Sequence, residues 1–333
     1  MALPMPRTTT PQPLPAPSPS HDDIAATVAF LGPEGTFTAE AARTAFPTLE
    51  LVPLPTIPDV IDAVRARSTV LGVIPIENAI EGSVNLTLDE LAFGPKGAWI
   101  RGEVTLPISM NLIARAGTTL AEVRVVRTHP VALGQSRRWL RTHLPAVETE
   151  VCSSTAEAVR QIAEGVDRGV AALGPSFAAQ HYGLGVLAAD VQDLDDNATR
   201  FVVLGPSMAA ATGADRTSIV VTFGEDRPGL LLRVLQEFAL RGINLTKVES
   251  RPTKRRLGQY ALFIDVAGHP GQPRVAEALR SVHRHVEQLR VLGAYPRADG
   301  VVDVAGPQDD EQAYSMSAAW FEALMAAVDA QGG

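Results

Sequence analysis

The chain has 333 residues, 46% hydrophobic but only 5% aromatic, with a net charge of −8 and a pI near 5.4. That length suits two or three compact units, and the acidic balance excludes broad electrostatic attraction to nucleic acid. With Cys152 as its single cysteine and no apolar run of the roughly 20 residues that cross a bilayer, the chain has no internal disulfide or multi-cysteine zinc site, and it is expected to be cytoplasmic, with no membrane partner.

Residues 1–22 hold Pro4, Pro6, Pro11, Pro13, Pro15, Pro17 and Pro19 among Ser and Thr. Such a stretch buries little apolar surface and is expected to be disordered. It has no basic start followed by an apolar run, so no secretory signal is expected. From Thr27, short apolar runs end at Gly or Pro and lead into segments of helical period, the pattern of alternating strands and helices. Val28 to Leu31 is predicted as a strand, Gly32 to Thr36 as a turn, and Thr38 to Phe46 as a helix capped by Thr36 or Thr38. Val70 to Ile74 is a second predicted strand, leading through Pro75, Ile76, Glu77 and Asn78 into a loop and a helix near Thr87.

Between Leu106 and Leu187, predicted strands near Ile108 to Ala114, Arg124 to Thr128 and Gly169 to Leu173 alternate with helices opening near Ala132, Thr155 and Ser176. After the acidic loop Asp193 to Asn197, the strand Arg200 to Leu204 is expected to return the chain to the first block. Two α/β lobes joined by crossovers leave a cleft, where such architectures hold small ligands. Met208 to Asp215 reads as a linker. Strands at Ser218 to Phe223, Ile243 to Ser250, Tyr260 to Val266 and Gln288 to Gly293, with helices at Pro228 to Arg241 and Pro273 to His285, give the order βαββαβ of a ferredoxin-like module. The tail after Arg297 is polar until Ser317. There a short amphipathic helix is predicted, with Trp320, Leu324 and Val328 on the side that docks on the body or on a partner.

Four segments hold groups able to do chemistry. The Gly32 to Thr36 loop, between strand and helix, either offers N–H groups to an anion or simply turns tightly. Glu77, Asn78, Glu81 and Ser83 crowd one polar loop after an apolar strand, as a binding loop or a helix cap. His129 and Gln135 flank a strand end, where His129 either caps a helix or transfers protons. In Asn197 to Phe201, Thr199 and Phe201 share one strand face while Arg200 points away; the alternative is an ordinary strand residue beside a surface arginine. No His, Cys, Asp and Glu cluster has metal-ligand spacing, and neither a nucleophile elbow nor a phosphate loop is present. No metal or cofactor is expected.

Taken together these segments resemble the prephenate dehydratases: GPEGTFT at Gly32 to Thr38, PIENAIEGSVNLTLD at Pro75 to Asp89, HPVALGQS at His129 to Ser136, SSTAEA at Ser153 to Ala158 and NATRF at Asn197 to Phe201. The C-terminal module resembles the ACT domain joined to that enzyme, through RPGLL at Arg227 to Leu231, GINLTKVESRP at Gly242 to Pro252, YALFIDVAGH at Tyr260 to His269 and LGAYP at Leu292 to Pro296. The resemblance implies an α/β fold: a two-lobed catalytic region over 27–206, similar to a periplasmic binding protein, then a ferredoxin-like ACT domain over 216–297 and a tail over 298–333. It also implies decarboxylative dehydration of prephenate to phenylpyruvate in L-phenylalanine biosynthesis, controlled by L-phenylalanine, in a homodimer or homotetramer built through ACT domains.

The resemblance makes Thr199 the key catalytic residue, donating to the leaving hydroxyl, with Glu77 as a proton source if burial keeps it protonated. Asn78, Gln135, Ser154, Thr155 and the N–H groups near Gly35 and Thr36 are expected to position the carboxylates. Ser83 and Phe201 complete the substrate contacts, and Arg200 binds an anion or braces the loop. Phenylalanine is expected between ACT domains, at Gly229, Leu230, Asn244, Leu245, Glu249, Ser250, Arg251 and Pro252. Ala79, Val131 and Ser136 depart from the family's usual residues at those positions, which bears on substrate choice between prephenate and arogenate. A non-catalytic amino-acid sensor is the competing class.

Overall fold

A computed structural model describes residues 27–329 except 195, 225, 226, 255 and 257, together with all side chains in that span but those of 328 and 329. The expected disordered N-terminus lies outside the described residues. The chain forms two compact units, one from the residues up to Ala98 with Val104–Pro206, the other from Trp99–Glu103 with the residues from Ser207 onward.

The first unit opens with β1 (Thr27–Leu31), α1 (Phe37–Ala45), β2 (Glu50–Leu54), α2 (Ile57–Arg65), β3 (Leu71–Asn78), the two-residue β4 (Gly82–Ser83) and α3 (Asn85–Phe93). β1 lies between β2 and β3, parallel to both. Helices α1 and α2 each start on a threonine: Thr36 Oγ1 accepts from the Ala39 N–H at 3.1 Å and Thr56 Oγ1 from the Asp59 N–H at 3.2 Å. These caps satisfy N–H groups that have no partner inside the helix. Ala39, Ala41, Ala42 and Ala45 are buried with Val28, Phe30, Leu71 and Val73, so the inner face of α1 is made of side chains small enough to bring its backbone close to the sheet.

β5 (Trp99–Pro107) leads to the second lobe: β6 (Asn111–Ala114), β7 (Val125–Thr128), α4 (Pro130–Gln135), α5 (Arg137–His143), β8 (Glu148–Val151), α6 (Thr155–Glu164), β9 (Val170–Gly174), α7 (Ser176–His181) and β10 (Gly185–Ala188). The strand order is β10-β6-β9-β7-β8. Leu112, Ile113, Ala114, Ala171, Ala172 and Leu173 are fully buried. One core cluster packs Leu112 and Leu173 with Ala132 and Leu140 of α4 and α5; another packs Ile113 and Ala172 with Val159 and Ala178 of α6 and α7. Helices on both faces explain why these strands are apolar throughout rather than alternating.

β11 (Ala198–Gly205) then returns to the first lobe and pairs antiparallel with β3, with Thr199 opposite Asn78, Arg200 opposite Glu77 and Leu204 opposite Gly72. The strand expected to end at Ile74 therefore runs on to Asn78, because β11 keeps pairing beyond Pro75. The register shifts between Arg200 and Phe201, beside this proline that lacks an N–H.

The second unit contains β12 (Asp215–Thr222), α8 (Leu230–Ala239), β13 (Leu245–Pro252), β14 (Tyr260–Ala267), α9 (Pro273–His285), β15 (Gln288–Pro296) and α10 (Glu311–Asp329). Its strands follow the antiparallel path β13-β14-β12-β15, the expected βαββαβ module. Ile219, Val221, Val234, Phe238, Ile264, Val275 and Val282 make its core. Beside it Gly293 of β15 pairs with Ile100 of β5, an approach so close that a Cβ at Gly293 would overlap the Ile100 carbonyl. The tail helix α10 begins earlier than expected, at Glu311, and touches α9. Trp320 and Leu324 of its expected docking face are 66% and 44% exposed, while the Val328 side chain lies outside the described residues.

Phe201, expected among the substrate contacts, is 1% exposed and packs in the first lobe's core with Phe30, Val104 and Leu106. Phe201→Ala is expected to cost about 3–5 kcal/mol of stability, measured by denaturant unfolding. A loss under about 1 kcal/mol would show that the ring is not part of the core.

Candidate active site

The site forms where β3 and β11 end side by side. Residues directly opposite in an antiparallel pair share a face. Asn78 and Thr199 therefore point one way, and Glu77 and Arg200 the other. Asn78 Oδ1 accepts from the N–H groups of Ile80 at 3.0 Å and Glu81 at 2.9 Å, which fixes the amide so that its nitrogen faces away from that turn. Asn78 Nδ2 donates to Thr199 Oγ1 at 2.8 Å and to Asn197 Oδ1 at 2.9 Å, using both its hydrogens. Thr199 Oγ1 is thus an acceptor from the protein, and its own hydrogen is left to donate elsewhere. Asn197 Nδ2 donates to Gln135 Oε1 at 3.3 Å, and Gln135 Nε2 to Glu81 Oε1 at 3.5 Å. Gln135 is the last residue of α4, so this run of side chains joins the two lobes.

Thr199, Asn78 and Asn197 line a cavity of about 330 Å³ with Phe37, Met110, His129, Ser154 and Thr155. A second cavity of about 570 Å³, lined by Ile80, Pro130, Gly134 and Leu194, shares Glu81, Val131, Gln135 and Asn197 with the first. Both volumes lie in the range of small-molecule sites. Two helices begin at the smaller cavity. Ser154 Oγ accepts from the Glu157 N–H at 3.0 Å at the start of α6, and His129 Nδ1 accepts from the Val131 N–H at 3.4 Å at the start of α4. His129 is therefore a helix cap. The described lining residues of both cavities include no Arg or Lys. The polar side chains lining the smaller cavity are hydroxyls, amides, His129 and the Glu81 carboxylate.

Comparison with known proteins fits this geometry to a family. The prephenate dehydratase family model matches residues 28–209, and the ACT domain model matches 217–284. The chain belongs to the prephenate dehydratase family. The prephenate dehydratase of Mycolicibacterium vanbaalenii is 43% identical, across 89% of this chain and 97% of that one. The crystal structure of prephenate dehydratase from Arthrobacter aurescens in complex with L-Phe is 37% identical, with a TM-score of 0.83, over 90% of this chain and 99% of that one. A structure described as a quorum-quenching acylase is also similar, at 29% identity and a TM-score of 0.74, over 81% of this chain and 97% of that one.

Of the residues expected from the prephenate dehydratase resemblance, Thr199, Asn78, Gln135, Ser154 and Thr155 come together around the cavities. Others stand apart. Arg200 donates to Glu77 Oε2 at 2.9 Å, with its side chain 11% exposed. Glu77 thus faces away from Thr199, and Arg200 with it. Ser83 lies opposite Glu77 in the β3–β4 pair. Thr36 Oγ1 caps α1, and Gly35 lies against Ala178 and Tyr182 rather than among the lining residues. Burial pushes the Tyr182 phenol up, and its hydroxyl donates to the Glu34 carbonyl at 3.3 Å. Val131 lines both cavities, whereas Ala79 pairs through its backbone with the Ala198 carbonyl at 2.8 Å. Glu81 belonged to the polar loop read as a binding loop or a helix cap but was given no role, and Asn197 lay within a family motif without one; what marks them is that each bonds to Gln135, which requires the fold.

In the ACT module, Gly229 caps α8 with φ at +85°, a conformation that favours glycine, and Leu230 opens the helix. Asn244 precedes β13, its carbonyl accepting from the Ala267 N–H at 2.9 Å. Along β13, Leu245, Glu249 and Arg251 are half-buried on one face, while Ser250 and Pro252 are exposed on the other. Glu249 pairs with Lys247 at 3.3 Å and Arg251 at 3.9 Å.

Gly35 has φ at +79°, and a Cβ there would stand 3.0 Å from a Tyr182 ring carbon. Gly35→Ala is expected to lower stability by about 1–2 kcal/mol, read as a fall in Tm. Unchanged Tm with weakened ligand binding would instead make Gly35 a ligand contact.

Proposed function

We propose that this chain converts prephenate to phenylpyruvate, with Thr199 acting on the leaving hydroxyl. The observation that carries the reading is the Asn78–Thr199 hydrogen bond, which occupies a lone pair of Thr199 Oγ1 and leaves its hydrogen for a ligand. Prephenate carries a carboxylate and a hydroxyl on opposite carbons of a non-aromatic ring. Breaking the C–C bond releases carbon dioxide, and the electron pair moves through the ring as the C–O bond breaks. The departing oxygen takes up one proton and leaves as water. The gain of aromaticity supplies the driving force, so no external electron carrier is consumed.

The barrier lies at the poor leaving group, which needs a donor as charge develops on it. Thr199 supplies that donor, and solvent returns the consumed proton. The N-terminus of α6, with Ser154 and Thr155, holds a carboxylate. Donors without full charge suit the departing carboxylate, because a tight ion pair would favour the ground state over the transition state. An acyl-transfer reading, as in the quorum-quenching acylase, needs a nucleophile activated by a neighbouring base. Among the described residues no hydrogen bond joins Ser153 or Ser154 to His129, and Ser154 Oγ and His129 Nδ1 both serve as caps.

The module over 216–297 serves as the regulatory domain. Phenylalanine binds where two such modules meet in a homodimer or homotetramer, at Gly229, Leu230, Asn244 and the β13 residues. The ACT match and the L-Phe complex of the Arthrobacter relative support this reading. Inhibition then equals the difference in effector affinity between active and inactive arrangements.

Thr199→Ala is expected to lower kcat by about 10²–10⁴-fold with little change in KM, measured by phenylpyruvate formation; retained kcat with a raised KM would remove the assigned role. Asn244→Ala is expected to raise the phenylalanine concentration for half-inhibition by at least about tenfold, and unchanged inhibition would place the effector elsewhere.

A further inference from the structure

Asn197 is 4% exposed, and both ends of its amide are engaged by other side-chain amides. The bonds run in one sense. Asn78 donates to Asn197, Asn197 to Gln135, and Gln135 to the Glu81 carboxylate. Two anchors fix this sense. At one end the Ile80 and Glu81 N–H groups hold Asn78 Oδ1, so only its nitrogen can face Asn197. At the other the Glu81 carboxylate accepts from Gln135. Gln135 comes from α4 in the second lobe, and the other members come from the first lobe's strand ends.

We propose that Asn197 and Glu81 are positioning residues for the dehydration: together they hold the Gln135 amide from both ends and so fix α4 over the cavity that contains Thr199. Gln135 lines both cavities, so its placement sets where α4 stands against a ligand. Neither positioning residue has to touch the reacting atoms. This inference deepens the prephenate reading and rests on it, but the linkage between positions 81 and 197 is a property of the ligand-free protein.

The chain of bonds has a testable symmetry. In Asn197→Asp the carboxylate still accepts from Asn78 but no longer donates to Gln135. The Gln135 amide must turn over, which sets its carbonyl against Glu81. Adding Glu81→Gln supplies a donor for that carbonyl, so both bonds of Gln135 re-form in the opposite sense while the carboxylate at 197 accepts from Asn78 and from Gln135. The experiment is a double-mutant cycle on the full chain, read by prephenate kinetics and by thermal unfolding without ligand. Asn197→Asp is expected to lower kcat/KM by about 100-fold and to lower Tm. Adding Glu81→Gln is expected to recover at least about tenfold and at least about half of the lost Tm. In an Asn197→Ala background Glu81→Gln is expected to recover neither. Additive effects in the unfolding cycle would overturn the inference. So would coupling in Tm without kinetic recovery, because the run of bonds would then be structural only. If the unsubstituted chain did not turn over prephenate, the proposed function would fall, while the unfolding cycle would still decide whether 81 and 197 are linked.

Discussion

The antiparallel pairing of β11 with β3 is the constraint on which the site depends. Residues 119 and 121 positions apart in sequence meet there as Asn78, Asn197 and Thr199. The ladder decides which side chains share a face: Asn78 and Thr199 go to the cavity, Glu77 and Arg200 to the other side. A slip of β11 by one residue would set Arg200 opposite Asn78 and turn Thr199 to the other face. Packing holds the register, since Val202, Val203 and Leu204 of β11 are buried beside Val73 and Ile74 of β3. The same pairing closes the first lobe's sheet after the chain has built the second lobe.

Electrostatics at the site follows from what surrounds it. The described lining of the cavity holds hydroxyls, amides, His129 and the Glu81 carboxylate, with no Arg or Lys. The hydroxyls and amides are oriented dipoles, and the bonds of Asn78, Asn197 and Ser154 fix them in the ligand-free protein. Arg200, the cation nearest in sequence to Thr199, is committed to Glu77. Arg200 lies on the strand face opposite Thr199, and Thr199 and Asn78 line the cavity.

Much of this was legible in the sequence. The βαββαβ order of the second unit appeared element by element, because each strand and helix there carries its own apolar pattern and breaker residues. The family motifs also marked the right segments. Other elements left no signal. In β8, Glu148, Thr149 and Glu150 are all exposed at a sheet edge, so no alternation betrays a strand. The edge strand β2 contains Pro53. Pro75 made β3 look shorter than it is, and only the partner strand reveals that Glu77 and Asn78 are paired backbone rather than loop. Phe201 was assigned to the ligand by its motif, whereas burial places it beneath the site. Motifs group residues by proximity in sequence; the facing of a strand and the partner across it are long-range facts, and these separate Asn78 from Glu77.

The most direct measurement is the rate of phenylpyruvate formation from prephenate by the purified full chain, at neutral pH with chelator present, with and without L-phenylalanine. The account calls for turnover far above the spontaneous reaction, undiminished by chelator and suppressed by phenylalanine. A rate equal to the spontaneous one would contradict its central claim that Thr199 and its amide partners expel the hydroxyl of prephenate.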